Sequence, residues 1–202
     1  MPQEPFDPTD DELVRAVLAG DRERFGELVG RYQTRLVNYL YRIVRSLDDA
    51  HDLAQEVFIR VYQALDRYDN QYRFSTWLFR VAQNAAIDVL RKRRVHLVPI
   101  SRREDASGDP APDFDLPSDD PTPLAELEGA ERDSEVRRTI DLLPWEYREL
   151  ILLRHYGELA YEEIADLKQM PLGTVKNKLF RARQMLKQHL APNTPGGSGK
   201  PN

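Results

Sequence analysis

The chain has 202 residues, which is enough for one large or two small domains with ordinary hydrophobic cores. Hydrophobic residues make up 41% and charged residues 31%, a balance typical of globular proteins. There is no cysteine, so a disulfide scaffold and Cys-ligated metal sites are excluded. With no apolar run of roughly twenty residues and no secretory signal, the sequence predicts a cytoplasmic protein without direct membrane insertion. The net charge of −5 is unusual for a nucleic-acid-binding protein, but it is unevenly distributed.

The first half of the chain has helical periodicity and no strand-like alternation. Thr9 and Glu12 have the spacing of a capping box. Gly20 should break the first helix, and Asp21 can cap the second. The predicted helices run from Thr9 to about Leu18, from Asp21 to Ile43, from Asp48 to Leu65, and from Ser75 to Arg94. This pattern predicts a helical bundle over residues 1–95.

The composition changes after this bundle. Between Glu104 and Glu128 there are nine acidic residues, several prolines and no Lys or Arg. Such a segment cannot bury enough apolar surface to order itself, so residues 96–123 are predicted to form a flexible acidic linker. Helical patterns resume over residues 124–190, with helices at Leu124–Ile140, Trp145–His155 and Tyr161–Lys168, and the Pro/Gly-rich residues 191–202 should form a disordered tail. The fold class is therefore all-α, with two small helical domains joined by a tether.

The last predicted helix, Pro171–Leu190, is strongly basic. Val175, Leu179, Ala182 and Leu186 form one apolar stripe, and between Lys168 and Lys187 there are six Lys or Arg and no acid. With the preceding short helix it has the pattern of a helix-turn-helix, in which the small residue Ala165 lets the two helices cross. The alternatives to a DNA-binding motif are a solvated surface helix and an ordinary helical hairpin. The acid-free helix favours DNA, with phosphate contacts from Lys176, Lys178, Arg181 and Arg183 and base contacts from its first two turns, where Gly173 and Thr174 lie.

A second basic segment, Arg67–Arg94, carries seven Lys or Arg against two acids and is interleaved with aromatic residues. Bases stack on aromatic rings while cations hold the backbone, so this mixture is typical of single-strand binding. Arg80, Asn84 and Arg91 share one helix face. The alternative is that Phe74 and Trp77 simply fill the core.

The predicted third helix has an acidic face with one apolar residue at its centre. Asp48, Asp52, Gln55, Glu56 and Gln63 surround Ile59 on the side opposite the core stripe. Such a surface indicates a protein partner with a basic surface, and the alternative is a solvated acidic helix. The four histidines are scattered, and no phosphate-binding loop, nucleophile motif or metal loop is present, so neither an enzyme nor a cofactor is expected.

Four blocks of sequence resemble the extracytoplasmic-function (ECF) sigma factors of the sigma-70 family, in the same order and spacing. They are DLAQEVFIRVYQAL (Asp52–Leu65), FSTWLFRVAQNAAIDVLRKRR (Phe74–Arg94), LPWEYRELILLR (Leu143–Arg154) and YEEIADLKQMPLGTVKNKLFRARQML (Tyr161–Leu186). The resemblance implies a bacterial factor that joins the β′ and β subunits of core RNA polymerase and directs promoter-specific initiation. It further implies a stress or envelope response and an anti-sigma factor as a partner.

The resemblance also implies residue roles. Core polymerase would bind the α-helical face formed by Asp48, Asp52, Gln55, Glu56 and Ile59. The minus-ten element would be melted and read by Arg60, Ala64, Tyr68, Arg73, Phe79, Arg80 and Asn84. The minus-thirty-five element would be read by Gly173, Thr174, Lys176, Asn177, Phe180, Arg181 and Arg183. The acidic linker would thread through the active-site cleft of the polymerase.

Two residues depart from the family pattern. Ala160 stands where a helix-capping Ser is common, and Gln169 occupies a turn position where many helix-turn-helix motifs carry Gly. Two other classes of protein stay open from the sequence. One is a stand-alone LuxR-type regulator, which requires a sensory or receiver domain at the N-terminus. The other is an interaction-only protein that binds polymerase without supporting transcription.

Overall fold

The computed structural model describes residues 8–97 and 136–190, with only the backbone described at residues 94–97. Over this part of the chain the regular structure is entirely helical, as the sequence predicts. The helices are α1 (Asp10–Leu18), α2 (Arg24–Val44), α3 (Leu47–Gln63), α4 (Phe74–Leu97), α5 (residues 136–141), α6 (Trp145–His155), α7 (Tyr161–Lys168) and α8 (Leu172–Leu190). A 3-10 turn, Leu65–Arg67, follows α3. We refer to α1–α4 as the N-terminal unit and to α5–α8 as the C-terminal unit.

The ends of α1 confirm the local signals in its sequence. The Thr9 amide donates to Glu12 Oε2 over 2.8 Å and the Glu12 amide donates to Thr9 Oγ1 over 3.3 Å, which completes the capping box. Gly20 follows the helix with a φ of 108°, a conformation that glycine adopts without steric cost. The expected cap at Asp21 is wrong. After a turn, α2 begins at Arg24, and Asp21 pairs with that guanidinium over 3.4 Å.

The core of the N-terminal unit lies between α2, α3 and α4. Its fully buried side chains include, at helical intervals, Leu28, Leu36, Leu40, Ala50, Val57, Val61, Leu78 and Ala82. Burying a leucine or valine side chain of this kind contributes about 1.5–3 kcal/mol. Helix α3 ends two residues before the predicted Leu65. Helix α4 starts one residue earlier than predicted and continues three residues past Arg94.

The C-terminal unit contains the predicted helix-turn-helix. Helices α6 and α7 have the predicted bounds, and Ala165 is almost fully buried. Gln169 ends α7 in the left-handed conformation, with a φ of 49°, at the turn position where many helix-turn-helix motifs carry Gly. At the other end of α7, Ala160 offers no side-chain cap. The carboxylate of Glu163 accepts from the Ala160 amide over 2.7 Å and stabilises this helix start instead.

The two units pack against each other, with α7 against α4 and α6 against α2. Buried apolar residues of both units belong to one continuous cluster. The sequence predicted two domains on a tether and did not predict this contact. The predicted linker at residues 96–123 overlaps the described chain only at residues 96–97, which continue α4. The rest of it, the start of the 124–190 domain and the 191–202 tail lie outside the described residues.

Candidate nucleic-acid interface

One side of α8 forms an exposed basic face. The apolar stripe of Val175, Leu179 and Ala182 is fully buried against α6 and α7. All seven residues predicted to read the minus-thirty-five element are exposed: Gly173, Thr174, Lys176, Asn177, Phe180, Arg181 and Arg183. Phe180 is 60% exposed. These seven residues therefore form a cationic surface that includes one amide, Asn177, and one aromatic ring, Phe180, which suits a major groove.

Two cations of α8 are tied to neighbouring helices. Lys178 Nζ donates to Glu146 Oε2 of α6 over 2.5 Å and lies above the Tyr147 ring. Arg183 Nη2 donates to the hydroxyl of Tyr161 in α7 over 2.7 Å. Lys178 is half-buried, so its predicted phosphate contact would require the ion pair with Glu146 to open.

Aromatic residues gather where the turn after α3 meets the start of α4. Phe74 is fully buried, whereas the ring of Trp77 is half-buried and lies 5.4 Å from that of Tyr68. The Tyr68 hydroxyl donates to Asp11 Oδ1 over 2.9 Å, and burial together with this bond raises the pKa of Tyr68. Phe74 thus fills the core, and Tyr68 and Trp77 form a partly exposed platform on which a base could stack.

The residues predicted to read the minus-ten element differ in exposure. Arg60, Arg73 and Asn84 are exposed, and Ala64, Tyr68 and Arg80 are intermediate. Arg60 pairs with Glu56 one turn earlier in α3, over 2.5 Å. Phe79 is fully buried, with its ring 5.3 Å from that of Tyr39. In this arrangement Phe79 is not available to a nucleic-acid base.

The acidic face of α3 is exposed at each position predicted to bind polymerase: Asp48, Asp52, Gln55, Glu56 and Ile59. Ile59 is 57% exposed. It borders a groove of about 290 Å³ between α2 and α3 that is also lined by Val29, Val37 and Phe58. At the start of the same helix, a hydrogen bond with Ser46 and the nearby Arg93 guanidinium lower the pKa of Asp49. The face therefore combines negative charge with an apolar depression.

Other kinds of site find little support in residues 8–97 and 136–190. No group of His, Asp or Glu side chains there is arranged to hold a metal ion. A search of the same residues finds no helix that is both long and apolar enough to cross a lipid bilayer.

Comparison with known proteins identifies both units. Residues 28–95 match the model of sigma-70 region 2, and residues 133–186 match that of sigma-70 region 4. The RNA polymerase sigma-H factor of Pseudomonas aeruginosa is 36% identical, over 91% of this chain and 94% of its own. The ECF sigma-E factor of Escherichia coli K12 is also 36% identical, over 91% and 95%, and SigW of Bacillus subtilis is 31% identical, over 88% and 94%.

Solved structures have the same fold. CnrH, in a complex with the cytosolic domain of CnrY, superposes with a TM-score of 0.65 at 23% identity, over 90% of this chain and 97% of CnrH. The sigma factor RpoE of Bartonella quintana, in a complex with the anti-sigma factor NepR, gives 0.62 at 19% identity, over 85% and 99%. At these identities the likeness concerns the fold.

The fold and its surfaces define a transcription initiation factor with two helical units, one of which carries a DNA-binding helix-turn-helix. The chain belongs to the ECF sigma factors of the sigma-70 family, which bind core RNA polymerase and direct promoter-specific initiation. It is therefore not an enzyme. The match to region 2 occupies the place where a LuxR-type regulator would need a sensory domain, so the comparisons favour the sigma factor over that alternative.

The sequence did not predict which residues join the two units. Ser75 and Gln83 of α4 hydrogen-bond to Glu163 and Glu149 of the C-terminal unit. A signal was present, because each of these polar residues lies on a helix face that is otherwise apolar. A buried polar side chain needs a partner, so its position predicts a hydrogen bond without revealing the element that supplies it.

Proposed function

We propose that the α3 face formed by Asp48, Asp52, Gln55, Glu56 and Ile59 is the surface that docks on core RNA polymerase. Its negative charge attracts a basic partner, and the exposed Ile59 beside an apolar groove supplies the buried contact that specific interfaces need.

We propose further that the two predicted DNA-reading surfaces act together on one promoter. The seven exposed residues of α8 read the minus-thirty-five element, and the region around Tyr68, Arg80 and Asn84 melts and reads the minus-ten element. Two modest binding sites on one chain gain affinity because the second binding event is intramolecular. The net charge of −5 disfavours DNA binding by the free factor, so promoter binding depends on the polymerase.

The regulation of this chain is a further part of the proposal. CnrH and the Bartonella RpoE are seen with CnrY and with an anti-sigma factor, and we infer that an anti-sigma factor also controls this chain. The factor would act in the bacterial cytoplasm as part of a stress or envelope response.

One observation carries this assignment. The chain separates an exposed acidic and apolar face on α3 from an exposed basic face on α8, as a factor that bridges a protein and DNA requires. Run-off transcription from a panel of promoters, with core polymerase and the purified chain, tests it. Transcripts that start at a subset of the promoters are expected. No gain over core polymerase alone would overturn the proposal.

The docking face has a sharper test. Asp52 is exposed on α3, so Asp52→Arg reverses its charge without disturbing the core. Loss of co-purification with core polymerase is expected, with unchanged helicity. Glu27→Arg is the control, because Glu27 is also exposed but lies on α2 outside the docking face, where it pairs with the neighbouring Arg24. Equal co-purification of both variants would remove the docking assignment.

A further inference from the structure

The first two residues of α1, Asp10 and Asp11, bind different parts of the N-terminal unit. Asp10 accepts hydrogen bonds from two residues of α2: the Arg31 guanidinium donates to Oδ1 over 2.8 Å, and the Tyr32 hydroxyl donates to Oδ2. Asp11 Oδ1 instead accepts from the hydroxyl of Tyr68, directly after the 3-10 turn, over 2.9 Å. Helix α1 therefore connects α2 to the segment between α3 and α4.

The position of α1 is fixed by packing and by its cap. Three of its apolar residues are buried: Leu13, Val14 and Val17. The helix packs on α2 and on the 3-10 turn, and the capping box of Thr9 and Glu12 orders its first turn, in which Asp11 lies. The Asp11 carboxylate thus extends from a rigid element, so a hydrogen bond to it can restrain the partner side chain.

The segment that Asp11 contacts, residues 68–73, contains no helix or strand. The Tyr68 hydroxyl lies 2.7 Å from the backbone carbonyl of Tyr72 as well as 2.9 Å from Asp11 Oδ1. Because a hydroxyl has one proton, it donates to one of these oxygens at a time, and the charged carboxylate is the stronger acceptor. Without Asp11 the hydroxyl would still have an acceptor, but that acceptor belongs to the same irregular segment.

Tyr68 also contacts the other residues of the proposed minus-ten surface. The centroid of its ring lies 5.4 Å from that of Trp77 and 5.9 Å from that of Phe74. The ring of Tyr72, at the other end of the segment, lies 5.7 Å from the guanidinium carbon of Arg80. A change in the orientation of Tyr68 would therefore affect both the aromatic platform and the segment that reaches Arg80.

We propose that Asp11 is a positioning residue for the minus-ten surface: it holds the Tyr68 hydroxyl from α1 and so sets the orientation of the Tyr68 and Trp77 rings. The orientation of the rings follows from these contacts alone, whereas its effect on the promoter strand rests on the proposed minus-ten role of Tyr68. Helix α1 precedes the match to region 2, which begins at residue 28. It contributes to strand binding without touching the strand.

The sign of the effect separates positioning from charge. Asp11 is an exposed acid, and removing a negative charge near a nucleic-acid surface should by itself strengthen binding. Loss of positioning should weaken it. Asp11→Ala is expected to weaken binding of the holoenzyme to the single-stranded non-template minus-ten segment of a selected promoter by about twofold to tenfold, the effect of one hydrogen bond. Unchanged or tighter binding would overturn the proposal.

A double-mutant cycle tests whether Asp11 acts through Tyr68. Tyr68→Phe removes the same hydrogen bond and keeps the ring, so it should weaken strand binding by a similar factor, and the double variant should bind no more weakly than either single variant. Asp11→Asn keeps an acceptor oxygen and should bind as the parent protein does. Independent losses that add in the double variant would overturn the coupling.

Glu27→Ala is the control for the loss of an acid. Glu27 is exposed in the first turn of α2, outside the minus-ten surface, so this variant should leave strand binding unchanged. Co-purification of every variant with core polymerase should equal that of the parent protein. Weakened strand binding by Glu27→Ala equal to that of Asp11→Ala would overturn the specific role of Asp11.

The fluorescence of Trp77 tests the ring orientation in the free protein. The chain has two tryptophans, so Trp145→Phe leaves Trp77 as the reporter. In that background Asp11→Ala and Tyr68→Phe should change the emission of Trp77, Glu27→Ala should not, and far-UV circular dichroism should be unchanged in all three. An unchanged Trp77 emission in Asp11→Ala would overturn the positioning. Tyr68→Ala separates the two hypotheses: unchanged strand binding would remove the minus-ten role of Tyr68, while the emission result stands.

Discussion

The two helices that we propose to read DNA differ in how much of their predicted reading surface is exposed. On α8 all seven predicted residues are exposed. On α4 Asn84 is exposed, Arg80 is half-buried against α7, and Phe79 is fully buried. A factor in this arrangement offers one complete DNA-binding surface and one incomplete one.

The difference follows from where each helix lies in the fold. Helix α8 packs on α6 and α7 through a single stripe, so most of its circumference remains in solvent. Helix α4 packs on α2 and α3 through one side and on α7 through another. The polar side chains of α4 that reach α7 therefore form their hydrogen bonds inside the protein. Position in the fold, more than residue type, decides which basic helix is ready for DNA.

The largest expected effect contrasts the two phenylalanines predicted to contact DNA, one on each helix. Phe79→Ala leaves a cavity in the core and should lower the free energy of unfolding by about 3–5 kcal/mol. Phe180→Ala removes an exposed ring and should change it by less than about 0.5 kcal/mol. Urea denaturation followed by circular dichroism measures both. Similar values for the two variants would contradict the difference in burial.

A smaller effect is expected for the basic face of α8. Arg181→Ala should weaken binding of holoenzyme to a selected promoter by about 1–3 kcal/mol if this arginine contacts a base edge, as the proposed minus-thirty-five role requires, and not only a phosphate. Lys187→Ala, at another exposed cation of the same helix that is not among the predicted reading residues, is the control. Equal losses in a quantitative footprinting assay would show that α8 contributes charge alone.

The turn between the docked helix α7 and the free helix α8 offers a stabilising change. Gln169 has a φ of 49°, a left-handed backbone conformation that is disfavoured for residues with a Cβ atom. Gln169→Gly should raise the free energy of unfolding by about 0.5–1 kcal/mol, with promoter selection unchanged. Thermal unfolding of the two proteins checks this, and a lower midpoint for the variant would contradict it.

The rim of the contact between the two units should give the smallest effect. Arg45 and Asp141 are each about 30% exposed, so their pair contributes at most about 1 kcal/mol and is weakened by salt. Arg45→Gln should slightly broaden the distance distribution between spin labels at two exposed positions, Asp88→Cys on α4 and Glu162→Cys on α7. The same measurement at rising NaCl concentration should shift the parent protein in the same direction. A distribution that does not change with salt would indicate that the rim charges do not hold the units together.

The sequence predicted the parts of the fold that depend on local chemistry. The capping box at Thr9, the break at Gly20 and the bounds of α6 and α7 are all confirmed, because caps, glycines and periodicity act within a few residues. The Asp21 cap is wrong because the backbone turns once more before α2 begins. Alternative turns of this kind differ little in free energy, so tertiary packing determines which of them forms.

The contact between the units could not be predicted, because it joins residues far apart in the chain. Ser75 and Glu163 are 88 positions apart, and Gln83 and Glu149 are 66. Their helical faces indicate burial but not a partner. For the same reason Phe79, which the family resemblance places at the minus-ten site, is buried in the structure. Residue type and spacing identify candidate surfaces, and tertiary packing determines which of them are exposed.

The central claim is that this chain binds core polymerase through the α3 face and directs it to promoters through α8. Run-off transcription with core polymerase, comparing the parent chain with Asp52→Arg, Arg181→Ala and the control Glu27→Arg, tests this most directly. Promoter-specific transcripts are predicted from the parent chain and the control, and fewer transcripts from the other two variants. Equal transcript levels for all four proteins would contradict the account.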